Sequence, residues 1–194
     1  MLFMATIDRI PIIQNPVLLD RIIAHIQTGL AENLAWLDYA FGRAQRLVKI
    51  INGKRYYIPA VFAGGEEYLP VTPNSEFGCF SFFDVDDPQS YEWIPFQQGR
   101  LEAGFALIVW VDMRLVTGEQ GARNTEQLKA QVLRVLNGGL RLTEGRLNVT
   151  RIYERAENIY KGYTLDEVDN QFLMQPYAGF RFEGTLQIDE PCNI

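Results

Sequence analysis

The sequence predicts an α+β fold in a single domain spanning residues 1–194, and three patterns carry this prediction. Apolar side chains alternate through residues 101–115, which buries one whole face of a strand. A helical apolar stripe follows at residues 128–136. Asn52-Gly53 separates two extended runs, which is the strongest short-range signal for a β-hairpin. We therefore expect a sheet whose central strand packs against a helix.

The first predicted element is a helix that begins at Asn15-Pro16. The asparagine side chain is expected to cap it, and the proline to occupy its first position, where a missing N–H costs nothing. Gly29 is expected to end it, and residues 34–41 read as strand-like. His25, the only histidine, has no partner at metal-ligand spacing, so we expect a surface position. The buried stripe of this helix comprises Leu19, Ile22, Ile23 and Ile26.

A hairpin is predicted next, with residues 44–51 and 54–62 as its antiparallel strands. Asn-Gly supplies the two positive-φ positions of a type I′ turn, whose twist matches the flanking strands. Pro59 should place the second strand at an edge or a bulge, because proline cannot donate a hydrogen bond to a neighbouring strand.

Residues 64–100 are predicted to form a long loop excursion, interrupted by a short aromatic strand at residues 77–85. The second half of the excursion has no consistent period and contains two prolines. It nevertheless carries Tyr91, Trp93 and Phe96, which a purely solvated loop has no reason to hold. We expect these three aromatic residues to form a protein interface. The alternative is that Trp93 lies beneath the loop as a satellite of the core.

The strand at residues 101–115 is expected to be central, because its second face is apolar in the middle and polar at both ends. Asn124, with Gln127 three residues later, predicts the capped start of the following helix. Gly138-Gly139 predicts its end.

Two closing strands are predicted at residues 147–154 and 178–188. Between them, Thr164 and Glu167 have the spacing of a capping box and predict a short helix. No internal repeat, low-complexity tract or linker interrupts the chain, so nothing indicates a second domain.

Composition excludes several classes of partner. The formal net charge of −6 argues against a nucleic-acid backbone or an anionic membrane surface, which both select clustered Lys and Arg. The sequence shows neither a signal-peptide pattern nor a segment long enough to span a membrane, so the protein is expected to stay in the cytoplasm. Cys79 is expected to face the core and Cys192 to lie in the tail. Two cysteines are too few for a disulfide framework or a metal cage.

No catalytic arrangement is recognisable, so we expect neither an enzyme nor a bound cofactor or metal. The chain lacks a Gly-x-Ser-x-Gly elbow, a P-loop and a dinucleotide-binding glycine fingerprint. Asp84, Asp86 and Asp87 offer oxygen ligands for Ca²⁺, but this stretch lacks the glycine and terminal glutamate of an EF-hand, and a solvated turn is the preferred interpretation. An enzyme with a site assembled from scattered residues stays as an alternative.

The order of the predicted elements is a helix, a hairpin with a proline-rich extension, a long strand, a single helix and two closing strands. This order resembles the tail-terminator, or tail-completion, proteins of long-tailed bacteriophages and prophages. Residues 163–167 and 176–182 also resemble the end of small prophage neck and tail proteins, in which a Pro-x-Ala-type turn feeds the final strand. The chain departs from the family in its short first helix and in its greater length, mainly through residues 64–100.

The resemblance implies an antiparallel or mixed sheet with helices packed on one face. It also implies self-association into a ring, commonly a hexamer, that caps the tail tube and presents a surface to the head connector. The implied location is the host cytoplasm during assembly and then the virion tail or neck, and no catalytic residue carries over. The alternatives are another virion part, such as a head–tail adaptor, or a non-viral α+β module that binds a small molecule or protein in a pocket beside Trp110 and Tyr153.

Overall fold

One eight-stranded sheet organises the part of the chain that the computed structural model describes, namely residues 8–62, 68–94, 98–118, 125–139, 145–165, 168 and 170–191. Its strands are β1 Tyr39–Ile51, β2 Lys54–Phe62, β3 Tyr68–Pro70, β4 Phe80–Val85, β5 Ser90–Ile94, β6 Gln98–Asp112, β7 Gly145–Tyr153 and β8 Tyr177–Pro191. They lie in the order β3-β2-β1-β4-β6-β8-β7, and β5 also pairs with β6. Only the β1–β4 pair is parallel among these strands. The predicted α+β fold with a mixed sheet is confirmed.

Helical segments lie on both sides of this sheet. They are α1 Leu18–Asn33, α2 Met113–Thr117, α3 Thr125–Arg134, a π-helical turn at Val135–Gly139, α4 Ala156–Ile159 and a 3₁₀ helix at Asn170–Leu173. The two longest, α1 and α3, pack on the same face, as the sequence predicts. The other face is covered by α4 and the 3₁₀ helix, whose covering role the sequence does not predict.

The sheet separates two hydrophobic cores. We call one side the helix face; it bears Phe105, Leu107 and Val109 of β6 beneath α1 and α3. The other side, the aromatic face, bears the alternate residues Ile108 and Trp110 together with a cluster of rings. The rings buried on the aromatic face are those of Phe41, Phe77, Phe80, Phe82 and Tyr160.

The central position of β6 is confirmed, since β4 and β5 flank one edge and β8 the other. Its predicted end is wrong: the strand stops at Asp112, and Met113 begins α2. The cause is local, because the Asp112 carboxylate accepts a hydrogen bond from the backbone N–H of Arg114 and so caps a helix. Leu115, predicted to be buried on the strand, is therefore 63% exposed on α2.

Both predicted ends of the first helix are wrong. Asn15 has a φ of 50°, whereas a capping residue has an extended backbone, and the helix begins later, at Leu18. At the other end the helix continues through Gly29 to Asn33. Leu30 is fully buried one position after the glycine, so core packing outweighs the low helix propensity of glycine here. The predicted buried stripe of this helix is confirmed.

The predicted hairpin is confirmed, with φ values of 51° at Asn52 and 76° at Gly53. Its first strand begins at Tyr39, so most of the strand-like stretch 34–41 lies outside it. The predicted edge position of the second strand is wrong, because β2 lies between β1 and β3. Pro59 nevertheless removes no hydrogen bond to β1: its carbonyl accepts the N–H of Val71 at 2.9 Å, so its nitrogen faces the same side, away from β1.

Residues 64–100 are not a simple loop excursion, because β3, β4 and β5 all lie within this stretch. The predicted strand at residues 77–85 corresponds to β4. The second half, predicted to be a loop, contains β5, which pairs with the first residues of β6. A short strand of this kind owes its conformation to its neighbour, so no period appears in its own sequence.

The two closing strands are confirmed as β7 and β8. Thr164, the first residue of the predicted capping box, accepts a hydrogen bond at its hydroxyl from the backbone N–H of Tyr57 at 3.1 Å. Its backbone N–H donates to the Tyr57 carbonyl at 2.8 Å. Glu167 and the predicted cap Asn124 lie outside the described residues.

Candidate interaction surface

β4 and β5 lie end to end along the same edge of β6. β4 pairs with residues 105–110 and β5 with residues 98–102, and between them the Asp86 N–H donates to the Gly104 carbonyl at 2.9 Å. We call residues 84–94 together with 98–102 the acidic arm. This arm extends the centre of the sheet beyond the end of the β1–β4 pair.

Tyr91 and Trp93 are the exposed aromatic residues of the acidic arm, at 57% and 61% exposure. Tyr91 lies opposite Leu101, which packs against the core of the helix face. Because directly opposed residues of antiparallel strands share a face, Tyr91 and Trp93 both lie on the helix face. Phe96, the third predicted interface residue, lies outside the described residues.

Gly99 explains why these two rings differ in their surroundings. A Cβ at this position would overlap the Tyr91 hydroxyl, so the tyrosine lies across the glycine backbone. Trp93 is directly opposite Gly99 and meets no side chain there. Trp93 is therefore exposed at the end of the arm, and the alternative in which it lies beneath a loop as part of the core is wrong.

A second arm is formed by β1 and β2 beyond the β1–β4 pair, and we call residues 43–62 the basic arm. Val48 and Ile50 are 53% and 67% exposed on it. They have the same parity as Ala44, which is buried on the aromatic face. Val48 and Ile50 therefore lie on the opposite face of the sheet from Tyr91 and Trp93.

Tyr163 connects the bases of the two arms. Its hydroxyl donates to Asp84 of the acidic arm at 3.1 Å, and the Arg46 guanidinium of the basic arm lies 5.6 Å from its ring centroid. Burial raises the pKa of Tyr163, and the neighbouring Asp84 carboxylate raises it further. The neutral phenol is thus the form that donates to Asp84.

Asp84 of β4 belongs to a buried ionic cluster around Arg181 of β8, so its prediction as a solvated turn residue is wrong. Arg181, which is 5% exposed, donates from Nε to Glu183 at 2.7 Å and from Nη2 to Asp84 at 3.4 Å. Its Nη1 donates to the carbonyl of Ile159. Asp86 and Asp87 are exposed, and in the described part of the chain no group of three or more His, Cys, Asp or Glu residues is placed to hold a metal ion.

Trp110, beside which the alternative places a pocket, is buried on the aromatic face and is 2% exposed. The indole of Trp110 is stacked between Phe80 and Tyr177, with centroid separations of 5.5 and 5.0 Å, and its N–H donates to the Phe172 carbonyl. A cavity of about 200 Å³ lies elsewhere, between α1 and the basic arm. Its lining includes Asp20, Gln27, Arg43, Gln45 and Tyr68.

The two residues considered for reactivity are placed as the sequence predicts. Cys79 is fully buried, and burial raises the pKa of its thiol to about 12, which leaves the thiol protonated and inert. His25 is exposed on α1. Cys192 lies outside the described residues.

Comparison with protein-family models and with curated protein sequences finds no match to this chain. No helix in the described ranges combines the length and the apolar content needed to cross a membrane. The indications of function therefore lie in the chain's own surfaces, chiefly in the two arms.

Proposed function

We propose that the protein is a structural component of a phage-derived tail, a tail-terminator or neck protein. In this role it forms a ring that caps the tail tube and joins it to the head connector. It acts without catalysis or cofactor, in the host cytoplasm during assembly and in the virion tail or neck afterwards. The resemblance in element order supports this assignment.

The observation that carries the proposal is the exposure of Tyr91 and Trp93 at the end of the acidic arm. Large aromatic residues are enriched at the energetic centres of protein interfaces, and contact with a partner buries their apolar area. Burying Trp93 against a neighbouring subunit or the tail tube would remove this area from water. Truncating such a residue typically costs about 2 kcal/mol or more, roughly thirty-fold in affinity.

The direct test is Trp93→Ala, compared with the parent by light scattering over a wide range of concentrations. We expect assembly to require about thirty-fold more protein. The melting temperature of the monomer should be unchanged, because the Trp93 side chain contributes little to the core. Leu115→Ala is the matched control, since Leu115 has nearly the same exposure, 63%, and lies at the other end of β6.

A lower melting temperature for Trp93→Ala with assembly intact would contradict the interface. The genomic neighbourhood gives an independent check of the tail assignment. Neighbouring genes for a tail tube, a tape-measure protein or a portal protein would support it, and metabolic neighbours would oppose it.

A second candidate function is a binding module, and the cavity between α1 and the basic arm favours it. Arg43 lines this cavity half-buried and has no ion-pair or hydrogen-bond partner among the described residues. A guanidinium in this state suits a small carboxylate or phosphate ligand. Calorimetry with acetate and inorganic phosphate, repeated on Arg43→Gln, tests this candidate; micromolar binding that the variant loses would support it.

A further inference from the structure

The two arms project from the same end of the sheet. β1 and β4 run parallel, and their pairing ends at Arg43 opposite Phe83. Beyond that point the basic arm follows β1 to Ile51. The acidic arm follows β6 from Leu107 back to Gln98, and β5 pairs with this end of β6. At about 3.3 Å per residue, each arm reaches roughly 25–30 Å past the last shared pair.

Val48 and Ile50 of the basic arm cannot meet Tyr91 and Trp93 of the acidic arm within one chain. Tyr91 and Trp93 lie on the helix face, whereas Val48 and Ile50 lie on the aromatic face. Two copies that pack with the helix face of one against the aromatic face of the next bring these surfaces together. Each copy then uses a different surface toward each of its neighbours.

The charges of the arms are complementary. The basic arm carries five basic residues and no acidic residue, namely Arg43, Arg46, Lys49, Lys54 and Arg55. Residues 84–102, which include the acidic arm, carry five acidic residues and one basic residue, namely Asp84, Asp86, Asp87, Glu92, Glu102 and Arg100. Contact between two like arms would be repulsive, and contact between unlike arms attractive. The charge pattern therefore favours a head-to-tail contact over a two-fold symmetric one.

Arg55 gives this contact a specific chemistry. It lies opposite Ile50 in register, so it shares the exposed face of the basic arm, and it has no partner among the described residues. A guanidinium packs favourably on the face of a tryptophan or tyrosine ring. Arg55 and Ile50 together offer the cation and the apolar surface that the Trp93 ring lacks in its own chain.

We propose that copies of this chain associate head to tail, with Tyr91 and Trp93 of one acidic arm packed on Val48, Ile50 and Arg55 of the next copy's basic arm. This inference rests on the proposed function and specifies the surface that receives the aromatic residues. A contact between two different surfaces closes into a ring when the rotation between copies allows it.

The test uses two variants, each with one arm blocked. Ile50→Glu places a carboxylate on the basic arm, and Trp93→Lys replaces the aromatic ring of the acidic arm with a cation. We expect each variant alone to be monomeric at concentrations where the parent assembles. An equimolar mixture is expected to associate, because the acidic arm of Ile50→Glu and the basic arm of Trp93→Lys are both intact. Size-exclusion chromatography with light scattering measures these masses.

Leu115→Glu is the control for adding a carboxylate at an exposed leucine, and it should assemble like the parent. If Trp93→Lys is monomeric while Ile50→Glu assembles normally, or if the mixture stays monomeric, the head-to-tail inference is overturned but the Trp93 interface stands. If both variants assemble like the parent, or if the parent stays monomeric throughout, the proposed interface and the inference fail together.

Discussion

At the scale of single residues, Tyr160 stands out because its hydroxyl is buried on the aromatic face without a hydrogen-bond partner among the described residues. An unpaired buried hydroxyl costs about 1–3 kcal/mol. Burial also raises the pKa of Tyr160 well above its ordinary value of 10.0, because the phenolate would lose its hydration. The ring packs against Phe82, so the apolar part of the side chain is well accommodated.

We therefore expect Tyr160→Phe to raise the free energy of unfolding by about 1 kcal/mol near neutral pH. The raised pKa makes a stabilising contribution that is complete below the unfolded-state pKa and declines as pH rises toward the folded-state pKa. The parent should accordingly lose stability above about pH 10, and Tyr160→Phe should lose less. Denaturant unfolding at pH 7.5 and 10.5 measures both effects, with the exposed Tyr91→Phe as control. A variant that is less stable than the parent at pH 7.5 would refute the interpretation.

Residue roles were predictable from the sequence where they depend on local pattern. Cys79 follows from its place beside a buried strand, and His25 from its lack of ligand partners. The role of Asp84 was not predictable, because its partner Arg181 is 97 residues away along the chain and its partner Tyr163 is 79 residues away. Sequence alone shows an acidic run, whereas the fold pairs one member of the run and leaves Asp86 and Asp87 in solvent.

At the scale of elements, β6 is the strand on which the helix face depends. Phe105 is 2% exposed and packs against Phe83 of β4, with ring centroids 6.4 Å apart. We expect Phe105→Ala to lower the free energy of unfolding by about 3–5 kcal/mol, through lost apolar burial and the cavity that it leaves. His25→Ala should change it by less than about 0.5 kcal/mol, because the residue is exposed. Chemical denaturation of both variants gives the comparison, and equal losses would show that the assignment of the core is wrong.

The elements predicted correctly are those with a strong pattern of their own. β6, β8 and the hairpin carry long alternation or Asn-Gly turn chemistry. β5 has no such pattern of its own, because its conformation comes from pairing with β6. The end of α1 was misplaced for a related reason: buried Leu30 and Leu34 continue the core contacts past Gly29, and this tertiary effect is invisible in a local helix-stop signal.

At the scale of the whole molecule, the chain has a net charge of −6. Among the described residues, however, no group of three or more His, Cys, Asp or Glu residues is placed to hold a cation. Asp84 is already paired with Arg181 and Tyr163, so the acidic run offers Ca²⁺ only the exposed Asp86 and Asp87. We expect calorimetry with Ca²⁺, Mg²⁺ and Zn²⁺ to show no micromolar binding to the parent. Binding that is lost in Asp86→Ala/Asp87→Ala would show that the run is a metal site after all. These substitutions leave the Asp84 cluster intact, so a change in binding would not be confused with unfolding.

The position of β8 has a consequence for how the sheet forms during synthesis. β8 is the last strand in chain order, yet it lies inside the sheet and pairs with β6 from Gln98 to Asp112 on one side and with β7 on the other. As the chain leaves the ribosome, β6 and β7 emerge before β8. Their edges that pair with β8 in the final sheet are therefore unpaired until β8 has been made. Open edges of apolar strands are where nascent chains aggregate, so this protein is exposed to that hazard until its final strand is made.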